Sequence, residues 1–232
     1  NTYSQLKQKR SHFAENNGTL ENRFYRIDYD KKTGAINSII DKDTDYELID
    51  ISGEYKFNEL IYETTERKRI VDLSKHTWGD DILYLQPHFR KVHYYYDFPT
   101  RDDKLIYRST KNKKLQEVRN GSNYSEIITS ENGYLCPEIK TRFIIDNNFK
   151  KIYIRNHLFK YETLDTEALY YAFPFNIPNP SFKLNCHGGY FEPEKEQLPG
   201  SCKDWYCSQK WVDISNTNIE IVWSALEAPL IL

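Results

Sequence analysis

FYRIDYDKKTGAINSIID, residues 24–41, is the stretch on which the fold turns. Its first seven residues alternate aromatic or aliphatic side chains with polar ones, which is the period of a half-buried strand. Lys31-Lys32-Thr33-Gly34 then interrupts the pattern with a short polar, glycine-containing loop. Ala35 to Asp41 resumes the period of two. Two alternating runs joined by such a loop predict a β-hairpin.

The same punctuation recurs along the chain. Strands are expected at 55–63, 90–98, 104–109, 115–120, 124–131, 138–146, 150–159, 168–175, 181–188, 211–216 and 219–229. Asp146-Asn147-Asn148-Phe149 supplies a second hairpin turn. Only ERKRIVDLSK, 66–75, has a helical pattern, and it is short. Many short strands with turn signals at nearly regular spacing predict an all-β fold, a large antiparallel β-sandwich of more than ten strands. Residues 1–19 are polar and basic and read as a linker or short helix, which leaves 20–232 for the β-sandwich domain.

Composition agrees. The chain of 232 residues carries 19 tyrosines and 12 phenylalanines, types that favour strands. A formal net charge of −2 with interspersed signs provides no field for nucleic acid or an anionic membrane surface. No apolar run approaches the ~20 residues of a membrane-spanning helix, and the start lacks a signal-like apolar segment. A cytoplasmic location is favoured on that ground. With no methionine, the chain is expected to be a piece of a longer polypeptide.

Candidate chemistry is sparse. EQLPGSCKDWYCSQKWVDISN, 196–216, holds two of the four cysteines and two of the four tryptophans. Cys202 and Cys207 stand in C-x4-C spacing, with Cys186-His187 upstream. Structural zinc prefers C-x2-4-C pairs, and an adjacent Cys-His cannot readily converge with them on one ion. Unpaired thiols are expected, and no metal ligand is assigned. The six histidines fit no ligand spacing, and no Gly-x-Ser-x-Gly elbow is present. Acid pairs occur at Asp80-Asp81, Asp102-Asp103 and Glu192 with Glu194. A glycosidase needs two carboxyls about 5–9.5 Å apart, a geometry that solvated turn acids do not supply by themselves. No catalytic residue is assigned. Trp78, Trp205 and Tyr206 are loop aromatics able to stack on a pyranose ring or to pack inward. Around Trp211 the strand alternation leaves open which face is buried.

The order of these motifs resembles the C-terminal β-domain of family 38 glycoside hydrolases, the α-mannosidases. The resemblance rests on LENRFYRIDYDKKTGAINSIIDKDTDYELID (20–50), KFNELIY (56–62), ALYYAFPF (168–175), GGYFEPEKEQLPGS (188–201), DWYCSQKWVDISN (204–216) and WSALEAPLIL (223–232). It implies a β super-sandwich, like that of galactose mutarotases. It also implies a retaining, zinc-dependent exo-α-mannosidase of mannose metabolism as the parent enzyme. The nucleophilic aspartate and the zinc ligands would belong to an N-terminal α/β domain outside this chain, so no cofactor is expected here. That α/β domain is then the first partner, with mannosides and a homo-oligomer as further ones. By motif position Asn58 and Tyr62 are expected at the rim of the sugar site, and Trp205 is a further rim candidate. Two other roles fit a β-sandwich: a stand-alone carbohydrate-binding module, and a structural domain for docking and oligomerisation.

Overall fold

The 24–41 hairpin forms, and its turn is built by one carboxylate. Asp30 Oδ1 accepts hydrogen bonds from Lys32 N (2.9 Å), Thr33 N (2.6 Å) and Thr33 Oγ1 (2.9 Å). Gly34 N donates to Asp30 O at 2.7 Å, and Asp30 N to Ala35 O at 2.9 Å. Gly34 takes φ +71°, the left-handed conformation that suits glycine. The hydrogen bonds from Thr33, followed by that from Lys32, hold the Asp30 carboxyl below its usual range.

In this computed structural model the chain is described at residues 12–13, 17–65, 105–163, 165, 167–201, 203, 205–225, 227–228 and 230–231. The helix expected at 66–75, the strand at 90–98, Trp78, Asp80-Asp81, Asp102-Asp103 and Cys202 lie outside the described residues. Among the described residues every element is a strand. In order they are β1 (His12–Phe13), β2 (Thr19–Glu21), β3 (Tyr25–Tyr29), β4 (Ile36–Asp41), β5 (Tyr46–Glu47), β6 (Glu59–Thr65), β7 (Leu105–Ser109), β8 (Lys111–Asn120) and β9 (Tyr124–Gly133). There follow β10 (Cys136–Asp146), β11 (Ile152–Phe159), β12 (Glu167–Ala172), β13 (Ser181–Cys186), β14 (Gly189–Phe191), β15 (Tyr206–Cys207), β16 (Val212–Ser215), β17 (Glu220–Trp223) and β18 (Leu230–Ile231). All the pairings are antiparallel.

The chain divides into two compact units, 1–174 and 175–232. The first is an all-β sandwich. Its large sheet runs β1-β8-β9-β10-β11, and two smaller sheets, β2-β3-β4-β5 and β12-β6-β7, supply the opposing layer. Ile127, Thr129, Ile139, Thr141, Phe143 and Ile145 alternate along the covered face of β9 and β10, all buried. Leu60 of β6 packs with Cys136 and Ile139. Phe57 meets Phe143 edge-on at 6.4 Å. Closing such apolar faces stabilises by roughly 25 cal/mol per Å² removed from water. The β2–β5 sheet is tied down where Leu115 N of β8 donates to Lys32 O of the turn, at 2.9 Å.

Two details depart from the sequence pattern. A register shift between β3 and β4 lets Ile36 and Ile39, three apart, both face inward. The strand expected from residue 55 begins at Glu59, because Asn58 takes φ 56° and turns the chain there. At the start, His12–Phe13 pairs with β8 as a strand, within the segment read as a linker or short helix.

In the second unit β14-β13-β16-β17 form one sheet and β15-β18 a two-stranded one. Val212 and Leu184, cross-strand partners, are buried on one face of the larger sheet.

Candidate functional site

Successive even-numbered residues at the start of β6 face the large sheet, and Asn58 and Tyr62 are two of them. Asn58 is 5% exposed and Tyr62 3% exposed. Left-handed backbone at Asn58 is tolerated because a short amide side chain fits that region. Its own N–H donates to Ala172 O of β12 at 2.8 Å. The side chain forms a reciprocal amide pair with Asn156 of β11: Nδ2 donates at 3.0 Å, and Oδ1 accepts at 2.8 Å. Thr141 Oγ1 of β10 also donates to Asn156 Oδ1, at 2.8 Å. Asn58 thus ties the small sheet to two strands of the large one.

Tyr62, two strand periods further on, donates its hydroxyl to Glu167 Oε2 of β12. The other oxygen of Glu167 pairs with Lys160. The Tyr134 ring meets Tyr62 edge-on at 5.1 Å, and the Arg108 guanidinium lies 4.5 Å from the Tyr134 centroid. Burial, reinforced by the hydrogen bond and charge of Glu167, pushes the Tyr62 phenol far above its ordinary range. Tyr62 therefore stays protonated and acts as a donor, never as a base, at neutral pH. Cys136 is buried in the same region, and that burial raises its thiol pKa and keeps it a neutral packing group. Tyr134 is the exposed member, with Glu167 and Lys160 partly open. On the opposite face of β6, Tyr170 donates to Glu63 at 3.4 Å, and burial together with that carboxylate lifts its phenol to about 12.

Trp205 lies in the second unit, 42% exposed, immediately before β15. Its neighbour Tyr206 packs on Phe191 at 6.3 Å. Cys186 and Cys207 are free thiols, one half-buried and one exposed. Among the described residues no three His, Cys, Asp or Glu side chains are grouped so that they could hold a metal ion.

The partners Asn156, Glu167 and Lys160 were not legible in the sequence. They stand 98 and 105 residues from Asn58 and Tyr62, and only strand pairing brings them close.

The chain resembles known proteins in sequence and in fold. The family described as "Glycosyl hydrolases family 38 C-terminal domain" matches residues 20–223. Among solved structures the fold is similar to that of an alpha-mannosidase from Enterococcus faecalis V583, with a TM-score of 0.53 at 10% identity. The likeness covers 88% of this chain and 23% of that one. No curated protein matches the chain.

Proposed function

Because this chain belongs to the C-terminal domains of glycosyl hydrolase family 38, we propose that it is the non-catalytic β-sandwich portion of a retaining, zinc-dependent exo-α-mannosidase. The observation that carries this reading is the family match across 20–223, in a chain that spans 23% of the length of the mannosidase it resembles in fold. The nucleophile and the zinc ligands then belong to an α/β domain elsewhere in the parent enzyme. The sandwich buttresses that domain and lends residues to the rim of the sugar site.

Asn58, Tyr62 and Trp205 retain their rim assignment within this proposal, in different ways. Tyr62 acts from below the surface, by orienting Glu167 and packing under the exposed Tyr134. Asn58 holds the strand that carries Tyr62. Trp205 offers a partly exposed ring.

Hydrolysis of an aryl α-mannoside tests the reading. The 232-residue chain should show no turnover with added zinc, and the parent polypeptide should turn over. Turnover by the chain alone, or a parent gene without an α/β domain bearing Asp and His zinc ligands, overturns it.

A further inference from the structure

The larger sheet of the second unit has one open face. Lys183 of β13, Asp213 of β16 and Val222 of β17 are direct cross-strand partners and so project from the same side. Val222 is 62% exposed, so that side is open to solvent at β17. Asn185 and Tyr190 are likewise partners on this face. Trp211 precedes Asp213 by two residues and is half-buried. Its ring lies 6.3 Å from that of Tyr190, the two planes inclined at 46°. The face therefore presents a tilted pair of aromatic rings beside a carboxylate and an ammonium group.

The carboxylate is unusual. Asp213 is 7% exposed, and its Oδ2 accepts from Lys183 Nζ at 3.2 Å. Its Oδ1 is also shielded from solvent and has no hydrogen-bond partner in the protein. A buried acceptor left unmet costs on the order of 1–3 kcal/mol, so it marks a place where a donor is wanted. Lys183, whose Nζ lies 5.8 Å from the Tyr190 centroid, is held as an ammonium chiefly by its hydrogen bond to Asp213. On its flexible stem it is the movable member of the group.

We propose that this face binds a neutral pyranoside: one apolar C–H face of the ring rests on Tyr190 and Trp211, and adjacent hydroxyls bridge Asp213 and Lys183. The chemistry matches each part of the site. The C–H groups of a pyranose carry partial positive charge, and the faces of Tyr and Trp rings carry partial negative charge. A vicinal diol is at once donor and acceptor. It donates to Asp213 Oδ1 once the Lys183 ammonium turns toward the ring, and it accepts from that ammonium. A polyanion is disfavoured, because Lys183 is already paired with Asp213 and Lys195 with the neighbouring Glu192. The inference rests on the second unit's own geometry and does not depend on the hydrolase reading.

Two-dimensional NMR of the 232-residue chain, titrated with methyl α-mannopyranoside and with methyl α-glucopyranoside, tests it. Saturable shifts at the Trp211 indole N–H are expected, with a Kd of order 1 mM for a small ligand on an open site. Tyr190→Ala removes an exposed ring and should weaken binding about 10-fold or more with an unchanged unfolding midpoint. Asp213→Asn keeps the shape, loses one acceptor, and should weaken binding comparably. Absence of saturable shifts at tens of millimolar, about the limit for a useful site, overturns the proposal, as does binding that Tyr190→Ala leaves unchanged. Failure here leaves the mannoside hydrolysis of the parent enzyme untouched, and loss of that activity leaves this titration untouched.

Discussion

Gly34 shows how much a single position decides. A Cβ added there would lie 2.5 Å from Thr129 Cγ2, on the covered face of β9, and φ +71° adds a conformational cost for any L side chain. The hairpin turn sits against the large sheet with no room between them. Gly34→Ala should destabilise by roughly 1–3 kcal/mol, read from urea unfolding. Thr129→Ser removes the clashing methyl, so the double mutant should lose less than the sum of the two singles. Strict additivity would show that the turn does not press on β9. The Thr33-Gly34 turn was readable in the sequence, because a polar loop between alternating runs must reverse. Its contact with Thr129 was not, since a residue with no side chain leaves no pattern of what it touches. The same division holds at Asn58 and Tyr62: the strand that carries them was readable, the amide and carboxylate that engage them were not.

Strands β8, β9 and β10 are stitched on their other face by one acid. Glu126 of β9 has no exposed side-chain surface. It accepts from Arg119 Nη1 of β8 at 3.2 Å, and from Arg142 Nε and Nη2 of β10 at 2.8 and 2.6 Å. Both arginines remain more than a third exposed, so water screens the pairing. Glu126→Gln leaves Arg142 facing a neutral amide while Arg119 keeps Glu117, and should cost about 1–3 kcal/mol. The slope of denaturant unfolding should stay unchanged. A loss within experimental error would mean that Arg142 turns to solvent at no cost. At this scale the long strands were legible from their period. β8 starts at Lys111, earlier than the expected 115, because its lysine-rich first residues carry no apolar signal. β5, β14, β15 and β18 have two or three residues each, too few to show any period.

Across the whole molecule, the division at 174/175 falls inside ALYYAFPF, which reads as one apolar run and hides the boundary. The tyrosine content becomes a pH response. Burial raises the phenol pKa of Tyr25, Tyr29, Tyr62, Tyr170 and Tyr171 above the ordinary 10.0. A group whose pKa is raised by folding contributes stability in full below its unfolded value and loses it as pH climbs through the folded one. Asp30 and Asp50 are held below the ordinary 3.8 by hydrogen bonds, so their contribution is present above that value and fades as pH falls below it. The unfolding midpoint should therefore be flat from about pH 5 to 9 and fall above about pH 10, with tyrosine ionisation and unfolding coincident by absorbance. Ionisation of all tyrosines with no loss of structure would contradict the burial described. The pairing of β6 with β12 also sets an order of events during synthesis. Chains fold from the N-terminus as they emerge, and contacts distant in sequence close slowly. β6 cannot gain its second neighbour until Glu167–Ala172 has left the ribosome, more than a hundred residues after Tyr62. Until then the edge of β6 and the Tyr62 phenol stay open, so a nascent chain halted before β12 exposes an unpaired strand edge.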